Sequence, residues 1–348
     1  MDDKTKEKES IIKKPNELNI GIRILRIFLS FMVVIDHFYN WKKLHKYYYI
    51  LYYHIPSFFL ISFYFTYKTL ISFNIKKIKL RLERVFIPYF SWSIISWLIR
   101  IFYYYIMKKK YSHSLKDFIA NLINGHIFNV VLWFQNILIL LTFKFLIIIY
   151  LFRNNYLTIF QLLLIISYIL QYSGANYKFF NNFYRHTSST FGRLFEALPN
   201  AVTGFFLALI DIINLINNKK KSKKSFIFSL LFLILISKYE VFAEIKTFKY
   251  GGIRLNLGAF CIFISFSLIP NTIYKFNLRN YIIKQMTNYT GGIYFTHYLI
   301  GKGYICSSFN IIKNKTILGC LFIYLVSYTI SFLGIKFLGH TKLKHLFI

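Results

Sequence analysis

The sequence predicts an all-α, polytopic integral membrane bundle of about ten transmembrane helices, and three observations predict it. Of 348 residues, 56% are hydrophobic and only 16% charged, whereas a soluble domain carries charge on about a quarter of its residues. The mean hydropathy is +0.46. The apolar residues also fall in runs close to the roughly 20 residues that a helix needs to cross a hydrocarbon core about 30 Å thick. Disorder is excluded by the apolar excess. Glycine and proline, at 15 and 5 residues, are too scarce for a fibrous or low-complexity chain. A net charge of +32 would point to nucleic acid in a soluble protein. Here Lys and Arg punctuate apolar runs, which is a membrane pattern, and no nucleic-acid partner is expected. Richness in Lys, Ile, Asn, Phe and Tyr is also what AT-rich coding produces, so the charge by itself implies no ligand.

The first eighteen residues are polar and of mixed charge, unlike a signal peptide. They read as a cytoplasmic tail (1–18) before a membrane domain (19–340) and a short cytoplasmic end (341–348). Within the domain, apolar runs place spans at 19–40, 48–68, 85–106, 127–150, 156–172, 194–216, 226–243, 255–274, 288–307 and 316–338. The fifth and seventh are the shortest. Polar connectors separate them, among them the basic loop "KKIKLRLER" (76–84), residues 171–193 and "KKKSKK" (219–224). An even number of spans with the two densest basic clusters inside puts both termini in the cytoplasm. Cys261, Cys306 and Cys320 lack metal-ligand or disulfide spacing, so neither zinc nor a disulfide is expected.

Chemistry is sought first among the acids, because there are only twelve. Asp36, Glu196, Asp211, Glu240 and Glu244 lie in or beside apolar spans, where an ionisable group is a functional candidate by default. The first span, "GIRILRIFLSFMVVIDHFYNW", sets Arg26 and His37 eleven positions apart. On a helix they differ by roughly 20° around the axis and about 16 Å along it. One face thus presents a guanidinium near the cytoplasm and an imidazole toward the other side. Two readings stand: a functional pair, or a snorkelling arginine with a hydrogen-bonded core histidine. Arg81 and Arg84, three apart, share a helical face and suit either a phosphate or anionic lipid.

The order of motifs resembles the membrane-bound acyltransferase family 3, polytopic O-acyltransferases acting on glycans and related hydroxyl acceptors. The resemblance rests on Arg26 with His37, and on "HIPSFFLISF" with His54, Pro56, Phe58, Phe59 and Ser62. It continues through Arg81, Arg84 and Pro88, then Leu132, Trp133 and Phe134, then Pro199 and Gly204, and ends at Ile293, Tyr294 and His297. Phe63 stands where the family has a glycine, so close helix approach is not expected at that position.

That resemblance implies an acyltransferase, transferring groups other than aminoacyl groups, most simply an O-acetyltransferase. Acyl-CoA (acetyl-CoA) is the implied co-substrate, with no tightly bound cofactor and no metal. The implied partners are a glycan or lipid-linked sugar acceptor and membrane lipids. The implied location is a bacterial cytoplasmic membrane. Arg26, Arg81 and Arg84 are then expected to bind the acyl-CoA phosphates. His37 is expected to act as general base, with Glu196 as its carboxylate partner. Asp36 is a poor partner for His37, because its side chain leaves the helix about 100° away. Ser62, Trp133, Tyr294 and His297 are expected to line the cavity, although His297 equally suits a structural role between helices. Two rival functions remain. A lipid or glycan transporter or flippase predicts inverted repeats and broken helices. A non-catalytic relative predicts tolerance of change at Arg26 and His37.

Overall fold

Helix α1 (Ile20–Phe38) is the axis about which the rest is arranged. It is followed by α2 (His54–Ile71), α3 (Ile75–Ile106), α4 (Leu115–Asn124), α5 (Leu132–Leu151), α6 (Tyr156–Asn176) and α7 (Thr190–Leu209). Then come α8 (Ile253–Ser267), α9 (Asn277–Asn288), α10 (Thr290–Lys302), α11 (Ile317–Leu338) and a 3-10 turn at Lys342–Leu346. The computed structural model describes residues 20–39, 53–106, 114–124, 131–176, 190–210, 253–269, 277–302, 316–339 and 341–347. Among them every regular element is helical. The tail 1–18, the cluster 219–224, the span 226–243, Asp211, Glu240, Glu244 and Cys306 lie outside the described residues.

Nine of the predicted spans coincide with helices, and the main difference is at 76–84. The basic segment is no loop: it forms the first turns of α3, continuous with the span behind it. Lys, Leu, Arg and Glu are all good helix formers, and the Asn74 side chain accepts the Lys77 backbone N–H at 3.1 Å to start the helix. The consequence is rigid placement of Arg81 and Arg84 on a helix. Three helices, α3, α5 and α11, are long and apolar enough to cross a membrane by length and composition.

The packing has membrane character. On α11, Leu318, Leu321, Leu325, Phe332 and Phe337 are exposed, while Gly319, Cys320, Ser327 and Ser331 are buried. Four small residues, with Ile323 and Tyr324, face the bundle, while the outward face is covered by large apolar side chains; association in lipid depends on close approach rather than on hiding apolar surface. The buried hydroxyls of Ser327 and Ser331 donate to carbonyls one turn back, at 2.7 Å each.

Helix α1 packs against α2, α8, α9, α10 and α11, and α2 in turn packs against α5, α7 and α8. The α2–α7 contact is a close joint. A Cβ built on Gly204 would stand 2.2 Å from the Leu60 carbonyl oxygen, so only glycine lets these backbones meet. Close approach at this joint therefore comes from α7. Phe63 instead fills space beside Phe145, their ring centroids 4.6 Å apart. The carboxy-terminal turn docks into the bundle, with Trp92 Nε1 donating to the Leu346 carbonyl at 2.9 Å and Gly292 N to that of Phe347 at 3.0 Å.

Candidate functional site

Helix α1 carries both ends of the site, and α10 runs beside it. At the first end, Arg26 donates from Nη2 to Thr290 Oγ1 at 3.1 Å. Arg81 of α3 donates from Nη2 to Ser62 Oγ of α2 at 2.6 Å. Its Nε is buried without a hydrogen-bond partner. Arg81 also lies within electrostatic range of both Arg26 and Arg84. Four helices therefore bring two partly buried guanidiniums together and tie each to a hydroxyl. Neither forms an ion pair among the described residues. Arg84, one turn on, is exposed at the rim.

Uncompensated cations held this way repel one another and lose hydration, which costs stability unless an anion joins them. The hydroxyl partners orient the forks without neutralising them. The arrangement suits a phosphate or another multivalent anion, which planar guanidiniums can grip with two bonds each.

At the far end of α1, three imidazoles and one carboxylate lie near one another. The rings of His37 and His297 have centroids 5.3 Å apart, tilted by 32°. His54, at the start of α2, places Nε2 3.9 Å from Asp36 Oδ2. Asp36 and His54 both lie within electrostatic range of His297. Asp36, His54 and His297 are buried, at 8%, 1% and 0% exposure, whereas His37 is partly exposed. Arg26 and His37 thus both turn toward α10, one meeting Thr290 at its start and the other His297 two turns on.

Tyr294 closes one wall, donating its hydroxyl to the Val131 carbonyl at 2.8 Å and packing against Phe134, ring centroids 5.4 Å apart and tilted by 57°. Trp133 is held between Phe59 and Arg193, whose guanidinium carbon sits 4.6 Å from its ring. Glu196 accepts from Arg193 Nη1 at 3.0 Å. With Pro56, Phe59, Trp133 and Ala197, these two residues line a narrow, closely packed crevice. The carboxylate found beside an imidazole is Asp36, across the helix boundary from His54. Helix register alone could show that Asp36 turns away from His37, but not that a histidine of α2 receives it. Thr290 likewise gave no signal in the sequence, because a lone threonine in an apolar run has no spacing to read.

Among the described residues, no group of three or more His, Cys, Asp or Glu is placed to hold a metal ion. No curated protein and no solved structure matches the chain. The family comparison does match: the acyltransferase domain extends over residues 19–336, taking in both ends of the site. With that coverage and an all-helical bundle of apolar spans, the chain belongs to acyltransferase family 3, a family of membrane-embedded acyltransferases.

Proposed function

We propose that the protein is a membrane O-acyltransferase that moves an acyl group, most simply acetyl, from cytoplasmic acyl-CoA to a hydroxyl of a glycan or lipid-linked sugar. The observation that carries this reading is the pair Arg26 and Arg81, two adjacent guanidiniums held by hydroxyls at the opposite end of α1 from a histidine cluster. Coenzyme A supplies the missing anions, and its thioester arm supplies a link between the two ends. Arg84 adds a third cation where the donor enters. The basic first turns of α3 favour a cytoplasmic position for this end, which sets the histidines deeper in a bacterial plasma membrane and keeps both termini inside.

In this mechanism His37 takes the hydroxyl proton as the acceptor oxygen attacks the thioester carbonyl. Its partial exposure beside buried neighbours leaves it reachable by substrate. The carboxylate of Asp36 steadies positive charge in the cluster from behind, through His54 and His297. Trp133, Tyr294 and Glu196 are the aromatic and polar groups of this end that a sugar would contact on entering the bundle.

The test is transfer itself. Purified protein given labelled acetyl-CoA and a glycan extract from the source cells should label the glycan, and His37→Ala should stop labelling without loss of expression. Labelling that persists in His37→Ala removes His37 from the chemistry. Absence of labelling by the unaltered protein removes the acyltransfer reading.

A further inference from the structure

The histidine cluster contains a hydrogen-bond acceptor that nothing yet uses. His297 Nδ1 lies 2.9 Å from the Ile293 carbonyl oxygen of its own helix. A carbonyl can only accept, so Nδ1 carries the hydrogen, and in the neutral ring Nε2 holds the lone pair. That Nε2 is buried and has no hydrogen-bond partner. The residue as a whole is 0% exposed, so bulk solvent does not reach it. A backbone carbonyl of α10 has in this way set the tautomer of a buried imidazole and left its accepting nitrogen open.

Few neighbours can fill that nitrogen. The ring of Phe38, 6.1 Å away, has no donor. Tyr294, also at 6.1 Å, gives its hydroxyl to Val131. Asp36 accepts rather than donates when ionised, and its near imidazole is His54. Two imidazoles lie near His297: His54, whose Nε2 is directed at Asp36 3.9 Å away, and His37, with ring centroids 5.3 Å apart. Two imidazoles joined by an N–H···N bond of ordinary length have centroids about 5 Å apart. The separation of the His37 and His297 rings therefore fits such a bond.

We propose that His297 is the positioning residue for His37. Its Nε2 accepts one N–H of His37 and so fixes the tautomer whose other nitrogen faces the acceptor hydroxyl. The inference rests on the acyltransfer reading and adds the group that makes His37 a base. In the reaction the acceptor oxygen forms a bond to the thioester carbonyl carbon, and its proton passes to the outward nitrogen of His37. The adduct collapses with breakage of the C–S bond. The sulfur leaves with the bonding pair and takes the proton back from His37, which returns to the neutral form. His297 gains and loses nothing; its role matches that of the group that orients histidine in hydrolytic triads, with a neutral imidazole in place of the carboxylate.

The experiment measures labelled acetyl transfer from acetyl-CoA to the glycan extract, with kcat and KM for acetyl-CoA separated. His297→Ala should lower kcat by about ten- to a hundredfold and leave KM for acetyl-CoA unchanged. His297→Gln, whose amide oxygen can accept the His37 N–H, should recover most of that loss. His297→Met, of similar length but with a poor acceptor, should not. The double variant His37→Ala/His297→Ala should be no slower than His37→Ala alone, since both act through one step. Thermal unfolding confirms that each variant folds; if His297→Ala melts early, Gln against Met decides the matter. A His297→Ala protein at full kcat beside an inactive His37→Ala protein overturns this proposal and spares the acyltransfer reading. Equal loss in Gln and Met, or a loss confined to KM, also overturns it. No transfer by the unaltered protein overturns both.

Discussion

The two ends of α1 solve the same problem, ionisable groups at membrane depth, in opposite ways. At the Arg26 end, cations are gathered next to cations and tied only to hydroxyls, so the charge is left for something else to balance. At the His37 end, a single buried carboxylate lies 3.9 Å from one imidazole, with two more imidazoles near by, and imidazole is the side chain that most readily exchanges a proton near neutral pH. In the function proposed above, the first end holds a fixed charge brought by a ligand and the second moves a proton with no lasting charge. That proposal makes binding and chemistry separable along one helix, and the separation can be attacked from either side.

The largest effect is expected from His37→Ala. Loss of a general base lowers rate by about 10²- to 10⁴-fold, and kcat for acetyl transfer should fall by that amount while KM for acetyl-CoA stays put. Next come Arg26→Ala and Arg81→Ala. A hydrogen bond to a charged group contributes about 1.5–3 kcal/mol, so each should raise KM for acetyl-CoA by about ten- to a hundredfold. Coenzyme A should raise the melting temperature of the detergent-solubilised protein by mass action. That rise should disappear in Arg81→Ala and survive in His37→Ala; a shift lost equally from both would mean that the ends do not divide binding from chemistry.

Asp36→Asn should act more gently, lowering kcat by about tenfold and leaving donor KM alone, because the carboxylate reaches the chemistry only through neighbouring imidazoles. The smallest effect belongs to Glu196→Gln. Its partner Arg193 is 30% exposed, and ion pairs open to solvent contribute about 1 kcal/mol or less. Transfer and melting temperature should both change little. A loss in kcat comparable to that of His37→Ala would instead make Glu196 the partner of the base.

The pattern of residues made the class of fold and the axis of the site legible. Apolar runs of helical length located most of the bundle, and the interval between Arg26 and His37 put both on one helix face, as the contacts to Thr290 and His297 bear out. What could not be read is which helices meet. Asp36 faces His54 from another helix, and no periodicity within either segment encodes that encounter. The close joint at Leu60 was obscured for the same reason: Phe63 argues against it locally, while the glycine that permits it, Gly204, lies far along the chain. The stretch 76–84 reads as a connector by its density of charge, whereas its residues are individually strong helix formers and it is helical.

Because one unbroken helix carries both Arg26 and His37, their interval behaves as a ruler cut to length. Deleting or inserting a single residue between them rotates one end by about 100° against the other and shifts it by about 1.5 Å. Substitutions inside the interval can be absorbed by neighbouring side chains; changes of length cannot. Chains that share this design should therefore align through residues 26–37 without a gap, however far the rest of their sequences have drifted.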